Sequence, residues 1–163
     1  KLTKKILMIK IDVFIEENSW KKYISNPKKF LQKKTKIIKD LIPFLKNKNI
    51  VFSILLTGNK KIKSFNKKYR NKNKTTDVLS FPFYEKKELK NKIFKDKETY
   101  LGDLILNYYK IKKNSKKDFI ADFNKLWVHG FLHLLGHKHY KNKDFKKMNK
   151  LENIMLRKIQ NNQ

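Results

Sequence analysis

Apolar residues first recur at every second position: Ile9, Ile11, Val13 and Ile15 are interleaved with Lys10, Asp12, Phe14 and Glu16. A period of two is that of a half-buried strand. Asn26-Pro27 then supplies an N-cap and a first helical position. Phe30, Leu31, Ile37, Ile38, Leu41 and Leu45 follow at helical spacing, and Pro43 should end or kink that helix. Residues 49 to 57 read as a second strand, which Gly58 closes. Ile62, Phe65 and Tyr69 are spaced for a short helix that leads into a basic loop from Arg70 to Lys74. A third strand spans Val78 to Phe83, and Pro82 suits it to an edge or a strand end. Residues 85 to 98 are charged and lack periodicity, so a solvated loop is expected. Leu101 to Leu106 predicts a fourth strand. Lys116 to Leu135 predicts a long helix with Phe119, Phe123 and Leu126 on its apolar face. A last helix runs from about Asp144 to Ile159 on a stripe of Phe145, Met148, Leu151, Met155 and Ile159. Neither repeats nor a linker interrupt the pattern. It predicts one α/β (α+β) domain over residues 1–163, a mixed, roughly four-stranded sheet packed against about five helices.

The candidate chemistry lies on the long helix. All four histidines fall between His129 and His139, in the stretch His-Gly-Phe-Leu-His-Leu-Leu-Gly-His-Lys-His. His129 and His133 are i and i+4, so both imidazoles share one helix face. Gly136 is suited to ending the helix in the left-handed conformation, a turn that brings His139 back towards the other two. Three neutral imidazoles facing one point form a zinc site with a fourth position left for water. The spacing His-x-x-x-His-x-x-Gly-x-x-His is similar to that of the metzincin peptidases, but those enzymes carry Glu after the first His, where this chain has Gly130. The general base for peptide cleavage is therefore missing.

Composition adds a partner. The chain has 42 Lys+Arg against 14 Asp+Glu, a net charge of +28. Such a field favours polyanions, nucleic acid first, through contacts that weaken as salt rises. The excess is almost entirely Lys and accompanies many Asn, Ile and Phe, the pattern that mutational bias towards A and T produces, so charge alone supports an RNA partner without establishing it. There are no cysteines, which excludes disulfides and thiolate metal sites. The apolar run Ile6-Leu7-Met8-Ile9 is too short and too closely followed by charge for a signal core or a membrane span, and a cytoplasmic protein is expected.

Three separated stretches carry a family likeness. His129 to His139 matches the signature His-Gly-x-Leu-His-Leu-x-Gly-x-Asp-His. Asn66-Lys67-Lys68-Tyr69-Arg70 and Thr76-Asp77-Val78-Leu79-Ser80-Phe81-Pro82 match a second motif, and Leu101 to Leu106 a third. Met148 and Glu152 match the Met and Glu of a final helix. On these motifs the sequence resembles the YbeY family of bacterial endoribonucleases, or rRNA maturation factors. The resemblance implies one zinc ion held by His129, His133 and His139, and activity associated with Arg70. It also implies cleavage of single-stranded RNA, late 16S rRNA 3′-end maturation and ribosome quality control on the small ribosomal subunit. Arg70 is one of two arginines in a chain that otherwise uses Lys, and a phosphate suits its planar fork, although a structural ion pair would also use it. Asp77 is either a strand-start cap or a substrate-binding group. Ser80 either contacts RNA or hydrogen-bonds within the sheet. His137 is expected to point away from the metal, at the surface or towards RNA. Two residues depart from the family pattern: Thr75 replaces a Pro, and Lys138 replaces the Asp before the last His, which would lower metal affinity if that Asp orients a ligand. Two other functions stay open, a metallopeptidase and a ribosome-associated binding protein whose zinc is structural.

Overall fold

The alternation at the start of the chain becomes β1 (Ile9–Ile15), and its pairing follows from the helix after it. Asn26 caps α1 (Pro27–Lys39) by accepting the Lys29 N–H at 2.9 Å. That crossover brings β2 (Ile50–Thr57) back parallel to β1. Next come α2 (Asn59–Arg70), β3 (Val78–Pro82), α3 (Lys86–Lys95), β4 (Thr99–Asn107), α4 (Lys116–Leu134) and α5 (Asn142–Gln160). The sheet order is β1-β2-β4-β3, with β4 parallel to β2 and β3 antiparallel on the outer edge. The computed structural model describes residues 9–162, and the run Ile6 to Met8 lies outside them. Among the described residues no helix is long and apolar enough to cross a membrane.

The two faces of the sheet are covered unequally. Ile11, Ile50, Phe52, Ile54, Leu56, Leu104 and Leu106 point into the main core under α1 and α4, where α5 packs in a further layer. On the other face α2 buries its Ile62 against Leu79 and Ile105 in a small cluster, with Leu55, Phe65 and Phe81 partly buried around them. A short 3-10 helix, Asn18–Lys22, inserts Trp20, whose indole donates to the Thr57 carbonyl at 3.2 Å and packs edge-on against Tyr108, Phe119 and Phe123.

Two expectations are corrected. Residues 85 to 98 are not a loop throughout, because Lys86–Lys95 is helical. Two buried residues one turn apart, Leu89 and Ile93, anchor it to the main core, and a helix this short needs no longer apolar stripe. Arg70 is not in the basic loop but is the last residue of α2, which ends at Asn71 in the left-handed conformation. Pro82 does end the edge strand, as its missing N–H requires.

One glycine sets the course of the edge. Gly102 has φ +133°, and the β2–β4 register shifts opposite it, between Val51 and Ser53. A Cβ at 102 would lie 2.2 Å from the Phe81 carbonyl oxygen. The bulge twists β4 and lets β3 close on it. Gly102→Ala should therefore cost about 3–5 kcal/mol, from a forbidden φ and a backbone clash together. Urea unfolding of the metal-free protein checks this, and a cost below about 1 kcal/mol would show that the bulge relaxes freely.

Candidate functional site

The histidines occupy the C-terminal half of α4, and the helix reaches its position because Gly130 has no side chain. A Cβ there would meet Leu104 at 2.9 Å, the Ser80 hydroxyl at 3.2 Å and Val78 at 3.3 Å. The helix backbone thus lies directly on β3 and β4, and the Ser80 hydroxyl donates to the Gly130 carbonyl at 3.3 Å. Gly136, with φ +83°, ends the helix. Its N–H donates to the His133 carbonyl at 2.9 Å and the His137 N–H to Leu132 at 3.1 Å, the paired bonds of a Schellman turn. The reversed chain carries His139 back over the helix.

The three rings converge. One ligand atom from each of His129, His133 and His139 lies within 4.8 Å of the other two. The outer nitrogens are committed: His129 Nδ1 bonds Glu152 Oε2 at 3.0 Å, and His133 Nδ1 bonds the His137 carbonyl at 2.7 Å. Both partners only accept, so both Nδ1 atoms must carry hydrogen and both Nε2 atoms, in the neutral rings, carry lone pairs. Those two Nε2 atoms face each other at 3.1 Å. Two lone pairs aimed at one another repel unless a cation or a proton lies between them. The set therefore fits a divalent metal ion, and three imidazoles suit zinc.

Burial holds the His133 imidazole down at about 4, and the nearby His129, His139 and Arg70 add to the effect. The His137 imidazole is lowered as well, by burial and by Lys86. A neutral His133 is the form a metal needs.

Arg70 approaches from the opposite side of the sheet. Its Nη2 donates to the Ser80 carbonyl at 3.2 Å on the free edge of β3, and its guanidinium lies 5.9 Å from the centre of the Phe81 ring. The edge strand thus carries Arg70 on one side and rests on the histidine helix on the other. Asp77 accepts the Val78 N–H at 2.8 Å, the geometry of a strand-start cap. Ser80 is buried, and its hydroxyl donates to the α4 backbone at Gly130 rather than within the sheet. The His137 ring is half-buried and outside the converging group. Lys138 pairs with Glu85 at 3.3 Å, and the partners of His129 and His133 are Glu152 and the His137 carbonyl. Sequence spacing alone did not assign Glu152 as the partner of His129, because the two are 23 residues apart. A cavity of about 890 Å³ lies at the other end of α4, lined by Phe30, Lys34, Lys117 and Ile120 among others, and holds none of these groups. Donor chemistry, not cavity size, locates the site.

The depressed His133 value fixes a sign for stability. Protons bind the unfolded chain first, near 6.5, and the folded one only at about 4. The stability contributed by neutral His133 is complete above about 6.5 and is lost as pH falls towards about 4. In metal-free protein the urea midpoint should drop across that window more steeply than in His133→Gln, and parallel profiles would contradict it.

The family model described as Endoribonuclease YbeY matches residues 14–160. An Endoribonuclease YbeY from Pelagibacter ubique is 46% identical over 155 residues, covering 93% of this chain and 97% of that protein. One from Bartonella henselae is 34% identical over 158 residues, covering 93% and 94%. The solution structure of TM1509 from Thermotoga maritima shares the fold, with a TM-score of 0.55 at 23% identity, over 93% of this chain and 89% of that one. The family match runs from the end of β1 through β2, β3, β4 and the histidine turn to the last residue of α5, and the chain belongs to the YbeY endoribonuclease family.

Proposed function

We propose that this protein is a zinc-dependent endoribonuclease that cuts single-stranded RNA, with one zinc ion held by His129, His133 and His139 and Arg70 meeting the scissile phosphate. The observation that carries the reading is the convergence of three imidazoles on one point beside a strand edge that also carries a guanidinium. The names of the relatives support RNA as substrate. The family resemblance extends this to 16S rRNA 3′-end maturation on the small ribosomal subunit, in the cytoplasm.

The residues divide the work. RNA cleavage concentrates negative charge on a five-coordinate phosphorus. When bound, zinc supplies Lewis-acid polarisation of a phosphoryl oxygen. Glu152 and the His137 carbonyl hold the two helical imidazoles in the ligating tautomer. Arg70 has five N–H donors, and the Ser80 carbonyl fixes the guanidinium through one of them, leaving others for phosphate oxygens.

Two features argue against a peptidase. Gly130 has no carboxylate and no room for one. An extended peptide would have to pair with the free edge of β3, where Arg70 covers the Ser80 carbonyl, Asp77 the Val78 N–H, and Pro82 has no N–H. A purely structural zinc is disfavoured too. Such sites are normally closed by four protein ligands, whereas three side chains converge among the described residues and His139 is exposed.

Metal analysis with cleavage of a labelled single-stranded RNA tests the reading. Wild type should hold one zinc per chain and cut, and His133→Ala should do neither. Glu152→Gln should bind zinc about 10–100-fold more weakly while staying folded. Full zinc in His133→Ala, or zinc-loaded wild type that cuts casein and not RNA, would sink the proposal. Product end groups identify the nucleophile: a 2′,3′-cyclic phosphate means the ribose hydroxyl attacks, and a 5′-phosphate with a 3′-hydroxyl means water.

Arg70→Lys separates a phosphate contact from a scaffold residue. It keeps the charge and loses the fork. The rate should fall roughly ten- to a hundredfold, on the order of 1.5–3 kcal/mol, with zinc content and melting temperature nearly unchanged. A clear loss of stability at preserved activity per folded molecule would make Arg70 structural.

A further inference from the structure

The thinly covered face of the sheet carries aromatic rings that neither the core nor the metal centre uses. Side chains alternate along β3, so Leu79 and Phe81 face α2 while Ser80 faces α4. Tyr69, on the last turn of α2, packs edge-on against Phe81 at 5.4 Å and stacks with Phe65 at 5.8 Å. Phe83, just beyond β3, meets Tyr100 at 5.4 Å. Tyr69 is 55% exposed and Phe83 63% exposed, a cost for a monomer with no partner.

Cations line one side of this strip, and an acid, Asp103, stands on the other. Lys68 lies 5.1 Å from the Tyr69 ring centre, Lys61 5.8 Å from that of Phe65, and Arg70 5.9 Å from that of Phe81. Lys72 and Lys74 follow in the exposed loop after α2. Towards the sheet centre stands Asp103, hydrogen-bonded by Ser53 and Tyr100. A polyanion lying here would keep its phosphates over the α2 end and its apolar faces on the rings. Arg70 joins the strip to the histidine helix through Ser80, whose carbonyl accepts from Arg70 and whose hydroxyl donates to Gly130 on α4.

We propose that Tyr69, Phe81 and Phe83 form a stacking platform for unpaired bases of an RNA strand that passes over the β3 edge at Arg70 into the metal site. The proposal rests on the ribonuclease reading above and adds how the strand is held. Only unpaired bases can offer a free face to these rings, since the faces of paired bases are covered by their neighbours. The platform thus supplies a physical cause for single-strand selectivity that the histidines and Arg70 cannot, because they meet only the backbone.

Binding without cleavage isolates the platform. In the presence of a chelator, fluorescence anisotropy compares a labelled oligoadenylate with an abasic sugar-phosphate strand of equal length. Wild type should bind the oligoadenylate at least about tenfold more tightly. Tyr69→Ala and Phe83→Ala should each lose about tenfold on oligoadenylate and little on the abasic strand, whereas Tyr69→Trp and Phe83→Trp keep the preference. Equal binding of both strands by wild type overturns the platform, and so do alanine variants that bind oligoadenylate as wild type does. Restoring zinc reads the other question separately. A protein that prefers bases but cuts no RNA retains the platform and loses the nuclease, and one that cuts with unchanged KM in both alanine variants retains the nuclease and loses the platform.

Discussion

The contact on which the site depends is the packing of the α4 backbone against β3 and β4 at Gly130. Leu104, Ser80 and Val78 fill the space a side chain would need. Because the helix lies this close, His129 and His133 emerge beside the strand edge rather than a layer below it, within range of an arginine from the other face. The same contact explains why the metzincin-like spacing misleads. A glutamate at 130 would have to displace three side chains of the sheet. The histidine spacing is one that a helix and a glycine turn produce by geometry alone, and the residue after the first histidine reports what the helix rests on.

A metal ion taken up by the three histidines would be held against a net charge of +28. Long-range electrostatics therefore oppose a divalent cation, and the local arrangement must outweigh them. It does so in two ways. Glu152, buried at 7% exposure, is one of only 14 acidic residues and stands behind His129. Burial also keeps His133 neutral well below neutral pH, so binding a cation there expels no proton. The hydrogen bonds to Glu152 and the His137 carbonyl also fix both rings before an ion arrives, which reduces the ordering cost of binding.

Much of this was legible in the sequence, and the gaps have physical causes. β1 was legible from alternation and the other three strands from short apolar runs bounded by turn residues, since β2 and β4 are buried on both faces. The two long C-terminal helices were legible from their apolar stripes. The histidine cluster came from spacing, since a helix and a glycine turn are local structures. α3 escaped because one buried pair, Leu89 and Ile93, leaves no visible stripe among charges. The partners that orient the histidines escaped for two reasons: Glu152 is distant in sequence, and the His137 contribution is a backbone carbonyl, which no side chain announces. The position of Arg70 at a helix end was hidden by the lysines around it, which extend the same polar composition into the loop.

Lysine and arginine divide attraction from positioning here. The lysines produce a field that draws any polyanion and fades with salt, without regard to sequence or strandedness. Such a field cannot hold one phosphate at one point, because an ammonium on a flexible stem has no preferred plane. Arg70 has one, set by the Ser80 carbonyl and the Phe81 ring. Replacing it by lysine would add nothing to attraction and would remove a cationic group that is oriented at the strand edge. A chain free to use lysine at nearly every basic position, yet carrying arginine here, is consistent with a task at 70 that charge alone does not perform.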